Sequence, residues 1–212
     1  MTKVIFCYLN SHFLGLHLPV LSYIIHKVTG TMTNILFSRY RNCNLDELAE
    51  RLGKDYYEML AIVCTNVAAL ANELEEDTAH PSTVLYTGMA VKLVEQVEHL
   101  VGDRQKNLMP YLLELDAKKK EGHNCLNCSG RCHVGHAERL MNLRASHDSI
   151  KRLLTQLDME AMPLHRDIEY PKAYKILRNE MKEIDNMLNE VFYIEELYLV
   201  PKVFEAQKAI NA

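Results

Sequence analysis

The sequence predicts an all-α protein, an antiparallel up-down four-helix bundle preceded by an apolar N-terminal segment. Three observations predict it. After residue 44, apolar residues recur at alternating four- and three-residue steps in four long stretches, the period of one helix face. Those stretches are separated by short runs rich in Pro, Gly or clustered charge, where helices stop. No stretch shows the two-residue alternation of a strand. With 212 residues, 48% of them hydrophobic and 25% charged, the chain is long enough to bury one substantial core.

Residues 1–43 read as an apolar extension, and residues 44–212 as the bundle with a Cys-rich loop at 122–136. From Val4 to Ile25 there is no formal charge, a length that can cross a bilayer. Asn10, Ser11, His12, His17 and Pro19 interrupt that run and no small-residue cleavage site follows it. Neither a membrane span nor a secretory signal is therefore expected. MTKVIF at residue 1 is echoed by MTNILF at Met32, so a start of translation at Met32 is a further expectation.

Asn44 with Glu47 three residues on is a capping-box pattern that opens the first helix, and Gly53 is a point where it can break or bend. Its inner stripe is Tyr56, Leu60, Val63, Val67, Leu70, Leu74 and Asp77, ending before the HPS run at 80–82. The second helix is expected from about Ser82 to Lys118, with Met89, Leu93, Val97, Leu100 and Leu108 inward and a kink at Pro110. His136, Leu140, Leu143, His147, Ile150, Leu154 and Leu157 mark the third. After Pro163 and Pro171 the fourth carries Leu177, Met181, Ile184, Leu188, Val191, Glu195 and Tyr198, with Pro201 near its end.

Polar residues stand in three of these stripes: Tyr56 and Asp77, His147, and Glu195. A carboxylate or imidazole turned into a core must be hydrogen-bonded, paired or metal-bound. Inward carboxylates and imidazoles from several helices are also how bundles build carboxylate-bridged metal centres.

The densest chemistry lies in CLNCSGRCHVGH at 125–136. Cys125, Cys128 and Cys132 offer three soft ligands in eight residues, with Gly130 allowing the chain to turn between the last two. His136, His133 or His123 can complete a tetrahedral Cys3His set suited to structural zinc. Spacing favours His136, although it also begins the third inner stripe. A disulfide, a redox-sensing dithiol and an iron–sulfur cluster are the other readings of the same thiols. The remaining cysteines, Cys7, Cys43 and Cys64, are scattered singles in a chain that needs no staples, which suits a reducing, cytoplasmic compartment. A formal charge of -4 and dispersed Lys and Arg argue against nucleic acid as a partner. No Gly-rich phosphate loop or nucleophile elbow is present.

AYKILRNEMKEIDNMLNEVFYIEELYLVPKVFE resembles the closing helix of the hemerythrin-like di-iron proteins of the iron-centre repair type, whose pattern is His, then Glu four residues later, a hydrophobic pair and Pro. HLVGDRQKNLMPYLLEL at 99–115 is similar to the second helix of that family, and RASHDSIKRLLTQL at 144–157 to the third. The resemblance covers roughly residues 50–205, with the cysteine loop as an insertion. It implies His147 and Glu195 as ligands. Val191 stands at the histidine position before Glu195, and Leu100 and Arg104 stand at the His and Glu positions of the second helix. His99 and Asp103 reproduce that step one residue out of register, which requires a local bulge. On the first helix the ligand positions correspond to Tyr56 and Asp77.

Two arrangements follow for the bundle core. Either a metal ion, suited to iron, manganese or zinc, is held by some of Asp77, His99, Asp103, His147 and Glu195, or Arg104 enters the cavity and pairs with Glu195 or Asp77 in place of the metal. The resemblance implies a cytoplasmic metal-binding protein acting in iron or redox stress by storing, delivering, repairing or sensing metal. The alternative is a bundle without catalytic chemistry that binds a protein partner or a second copy, its metal centre a structural relic. An oxygen- or peroxide-linked di-iron enzyme is the third reading.

Overall fold

The computed structural model of the chain describes residues 37–74, 81–124, 134–161 and 169–210. The chain divides into two compact units, Met1–Asn42 and Cys43–Ala212. In the first, the described part is a short helix α1, Ser38–Arg41, where Arg39 lies over the Tyr40 ring at 4.7 Å. The apolar run at 4–25 and Met32 lie outside the described residues.

In the second unit every regular element among the described residues is helical. α2, Leu45–Leu52, passes through a π turn at Gly53–Tyr57 into α3, Glu58–Leu74. α4, Pro81–Asp103, passes through a second π turn at Arg104–Leu108 into α5, Met109–Lys120. α6 spans Val134–Ala161. α7, Lys172–Ile194, runs through a third π turn at Glu195–Leu199 into α8, Val200–Ile210. α3 packs against α4 and α7, α4 against α6, and α5 against both α2 and α8.

The helix ends follow local rules. Asn44 accepts from the Glu47 backbone N–H at 3.0 Å while the Glu47 carboxylate accepts from the Asn44 N–H at 3.1 Å, closing the capping box. α5 ends on a Schellman motif, with Gly122 at φ 66° and the His123 N–H reaching the Lys118 carbonyl at 3.0 Å. That conformation strains any residue with a side chain, which is why glycine stands there.

The apolar stripes form the core: Leu60, Val63, Val67 and Leu74; Leu93, Val97, Leu100 and Leu108; Leu140, Leu143, Ile150, Leu154 and Leu157; and Leu177 to Val191 at their four-three steps are buried. Leu70 and Met89 are half-buried, so they border the core. The chain stays helical through Pro110 and Pro201. Proline lacks an N–H and its ring collides with the carbonyl four residues back in a regular α-helix. Each of these prolines instead follows a π turn, closed by the Met109 N–H to the Arg104 carbonyl and by the Val200 N–H to the Glu195 carbonyl. The kink was expected at Pro110, and a widened turn stands just before that proline.

Replacing Asn44 with Ala removes the side-chain acceptor of the capping box, and a loss of about 1 kcal/mol in unfolding free energy is expected by urea titration. An unchanged midpoint would show that the helix start does not depend on this cap.

Candidate functional site

Each of the three π turns delivers one side chain to a common buried cluster: Tyr57 from the first, Arg104 from the second and Glu195 from the third. A π turn inserts an extra residue into the helical register and so re-aims the side chains around it. Arg104 and His147 are each 1% exposed and Glu195 is fully buried.

The Glu195 carboxylate is the hub. Its Oε1 accepts from the Tyr57 hydroxyl at 2.6 Å and from Arg104 Nε at 2.9 Å. Its Oε2 faces His147 Nε2 at 2.5 Å and Arg104 Nη2 at 3.5 Å. The Arg104 fork extends outward, Nη1 to Asp103 Oδ2 at 3.1 Å and Nη2 to Ser146 Oγ at 3.0 Å. Ser146 in turn donates to the Leu143 carbonyl at 2.7 Å. His147 lies stacked on Phe192, with ring centroids 3.9 Å apart, and its Nδ1 faces Glu196 Oε1 at 3.1 Å. Lys151 reaches the same Glu196 oxygen at 3.4 Å.

Arg104 and Lys151 are the cations that face Asp103, Glu195 and Glu196, and the His147 ring lies between the Glu195 and Glu196 carboxylates. Burial works to raise the Glu195 carboxyl, but the Arg104 charge and the His147 hydrogen bond outweigh it and hold the group at about 2. Burial, then the adjacent Glu195 charge, pushes the Tyr57 hydroxyl well above its usual range, so it remains a donor. Burial also opposes the Arg104 charge, which Glu195 more than restores.

Of the residues expected to bind a bundle metal, the fold brings His147 and Glu195 together. Asp103 meets the cluster only through Arg104, and its carboxylate is about a third exposed. His99 is exposed on the outer side of α4. Asp77, Cys125, Cys128, Cys132 and His133 lie outside the described residues, as does the side chain of His136. Among the described residues no group of three or more His, Cys, Asp and Glu side chains is placed to hold a metal ion. Just before the cysteine run, His123 Nε2 is buried and has no hydrogen-bond partner among the described residues. Cys43 is buried, and Cys64 is a buried free thiol that burial pushes up to about 12, where it is unreactive.

The sequence reading missed Tyr57, Ser146 and Glu196 as members of the cluster. Arg104 continues the inner stripe of the second helix, Leu93, Val97 and Leu100, at steps of four, three and four, so that stripe too carries a polar residue. A further signal was present: Arg104 and Glu195 each stand six residues before a proline, in RQKNLMP and EELYLVP. Tyr56, the expected inner residue, is buried too, but its hydroxyl donates to Glu190 Oε2 at 2.9 Å instead of entering the cluster.

Comparison with known protein families, curated proteins and solved structures finds no match for this chain.

Arg104→Ala leaves Glu195 buried without its main cation, and a loss of about 3–5 kcal/mol in urea titration is expected. Replacing Arg104, His147 and Glu195 together by apolar residues of similar volume costs far less than that single change. A triple variant as unstable as Arg104→Ala would contradict the pairing account. The Glu195 carboxyl also sets an acid limit. Its folded value lies below the unfolded value of ~4.3, so the stabilisation is complete above pH ~5 and is lost as pH falls towards 2. Thermal scans should show this acid limb in the native chain and its loss in Glu195→Gln, which begins less stable at neutral pH.

Proposed function

We propose that this is a bundle without catalytic chemistry that acts by binding a protein partner, its core ion network standing where a hemerythrin-like protein of the iron-centre repair type would carry metal. The observation that carries the reading is the Arg104 guanidinium seated against the Glu195 carboxylate inside the bundle. A cation fixed there repels a metal ion, and both Glu195 oxygens and both His147 nitrogens are already engaged. Among the described residues, one imidazole and one carboxylate of the expected ligand set meet in the core, fewer than iron or manganese takes from protein. The described residues therefore do not fit a bundle-bound metal.

The antiparallel up-down plan belongs to the same proposal. It is supported by α2 packing on α5 while α3 packs on α4, which sets the start of the first rod beside the end of the second. Among the described residues no helix is long and apolar enough to cross a membrane.

A second reading concerns the loop. Three thiols at Cys125, Cys128 and Cys132 follow directly on His123, whose buried Nε2 has no partner among the described residues. This supports a zinc clamp between the second and third rods, separate from the core network.

Metal analysis of the purified chain, expressed with iron, manganese and zinc supplied, tests both readings. The expected result is no iron or manganese, and about one zinc that disappears in Cys128→Ser. One or two equivalents of iron that depend on His147 would overturn the interaction reading. A reduced chain without zinc would remove the clamp.

A further inference from the structure

We infer, resting on the zinc-clamp reading, that His123 is the nitrogen ligand of a zinc ion held with Cys125, Cys128 and Cys132, which fastens the metal to the end of α5. Spacing in the sequence leaves His123, His133 and His136 open and favours the last. The structure supplies a reason to choose the first.

His123 Nε2 is buried and has no hydrogen-bond partner among the described residues. An imidazole nitrogen taken out of water is normally hydrogen-bonded or metal-bound, because otherwise its contacts with water are lost without replacement. Nε2 is also one of the two atoms through which imidazole binds zinc. The residue as a whole is only half-buried, so its ring stands at the border between protein and solvent with the unanswered atom on the inner side.

The backbone at this point is fixed by the helix end itself. Gly122 takes the left-handed conformation at φ 66°, and the His123 N–H closes onto the Lys118 carbonyl at 3.0 Å. A ligand carried on a closed helix end loses little freedom when it coordinates, which favours binding. That end is itself anchored, because Lys120 pairs with Asp46 of α2 at 2.9 Å and with Asp116 of its own helix at 2.6 Å.

Reach and charge agree with the assignment. One residue separates His123 from Cys125, which limits their Cα atoms to about 7 Å apart however the chain runs. An imidazole and a thiolate can meet one ion across that gap, at zinc–nitrogen and zinc–sulfur distances of about 2.0 and 2.3 Å. Zinc with three thiolates and an imidazole carries one net negative charge. The last turn of α5 holds Lys118, Lys119 and Lys120. Lys118 pairs with Glu114, and Lys120 with Asp46 and Asp116, whereas Lys119 forms no ion pair among the described residues. Four residues before His123, it is a cation in place to answer that charge. His136, by contrast, stands in register with the buried Leu140 and Leu143 at the head of the inner stripe of α6.

Zinc titration of the reduced full chain against a competing chelator tests the assignment. The expected result is one zinc per chain, bound at least about tenfold more weakly by His123→Ala and equally well by His133→Ala and His136→Ala. Circular dichroism checks that each variant keeps the helix content of the native chain. Cadmium takes the same thiolate and imidazole ligands, and NMR of the cadmium-loaded native chain reads the bond directly, as a scalar coupling between the metal and His123 Nε2. That measurement does not depend on how a variant folds. Zinc affinity indifferent to His123→Ala, or a cadmium coupling to His133 or His136 instead, overturns the assignment and leaves the clamp standing. A reduced native chain that binds no zinc removes the clamp and the assignment together.

Discussion

The burial of the Glu195 carboxylate governs the rest of this structure. A carboxylate taken wholly out of water carries a desolvation penalty of several kcal/mol unless its lone pairs and its charge are both answered. Here they are answered from three directions: Tyr57 and Arg104 share one oxygen, and His147 takes the other. Each of those groups comes from a different helical rod. The helices are therefore tied at one level by directional bonds as well as by apolar burial, which has no direction of its own.

The three π turns make that convergence possible. A regular helix that turns Leu100 inward brings Arg104 to the same face, but the arginine must still reach a carboxylate on another rod with its fork correctly aimed. The extra residue in each widened turn adjusts the aim of Tyr57, Arg104 and Glu195 at the level where they meet. In two of the three cases a proline two residues after the turn disfavours the regular alternative. The prolines at 110 and 201 thus help fix the geometry of a cluster that neither of them joins.

His99 and Asp103 illustrate the limit of register arguments. Their i, i+4 step suggested inward ligands if a bulge intervened, and a bulge does exist, but it begins at Arg104, after both of them. His99 remains on the outer surface, and Asp103 serves as an outer anchor for the guanidinium. A shift of one residue in where a helix widens decides whether a histidine or an arginine occupies the core.

The sequence by itself determined the helical class, the Asn44 cap, most of the inner stripes and the inward placement of His147 and Glu195. These depend on neighbours within a turn or two, and such spacings are written in the chain. It also contained the choice of Arg104 as a tethered cation, but only as one of two arrangements. Tertiary structure decided between the arrangements, because pairing Arg104 with Glu195 joins residues 91 positions apart whose alignment depends on where each helix widens. The same holds for Tyr57 over Tyr56: both tyrosines fit the inner side of the first rod, and only the partner supplied by a distant helix distinguishes them.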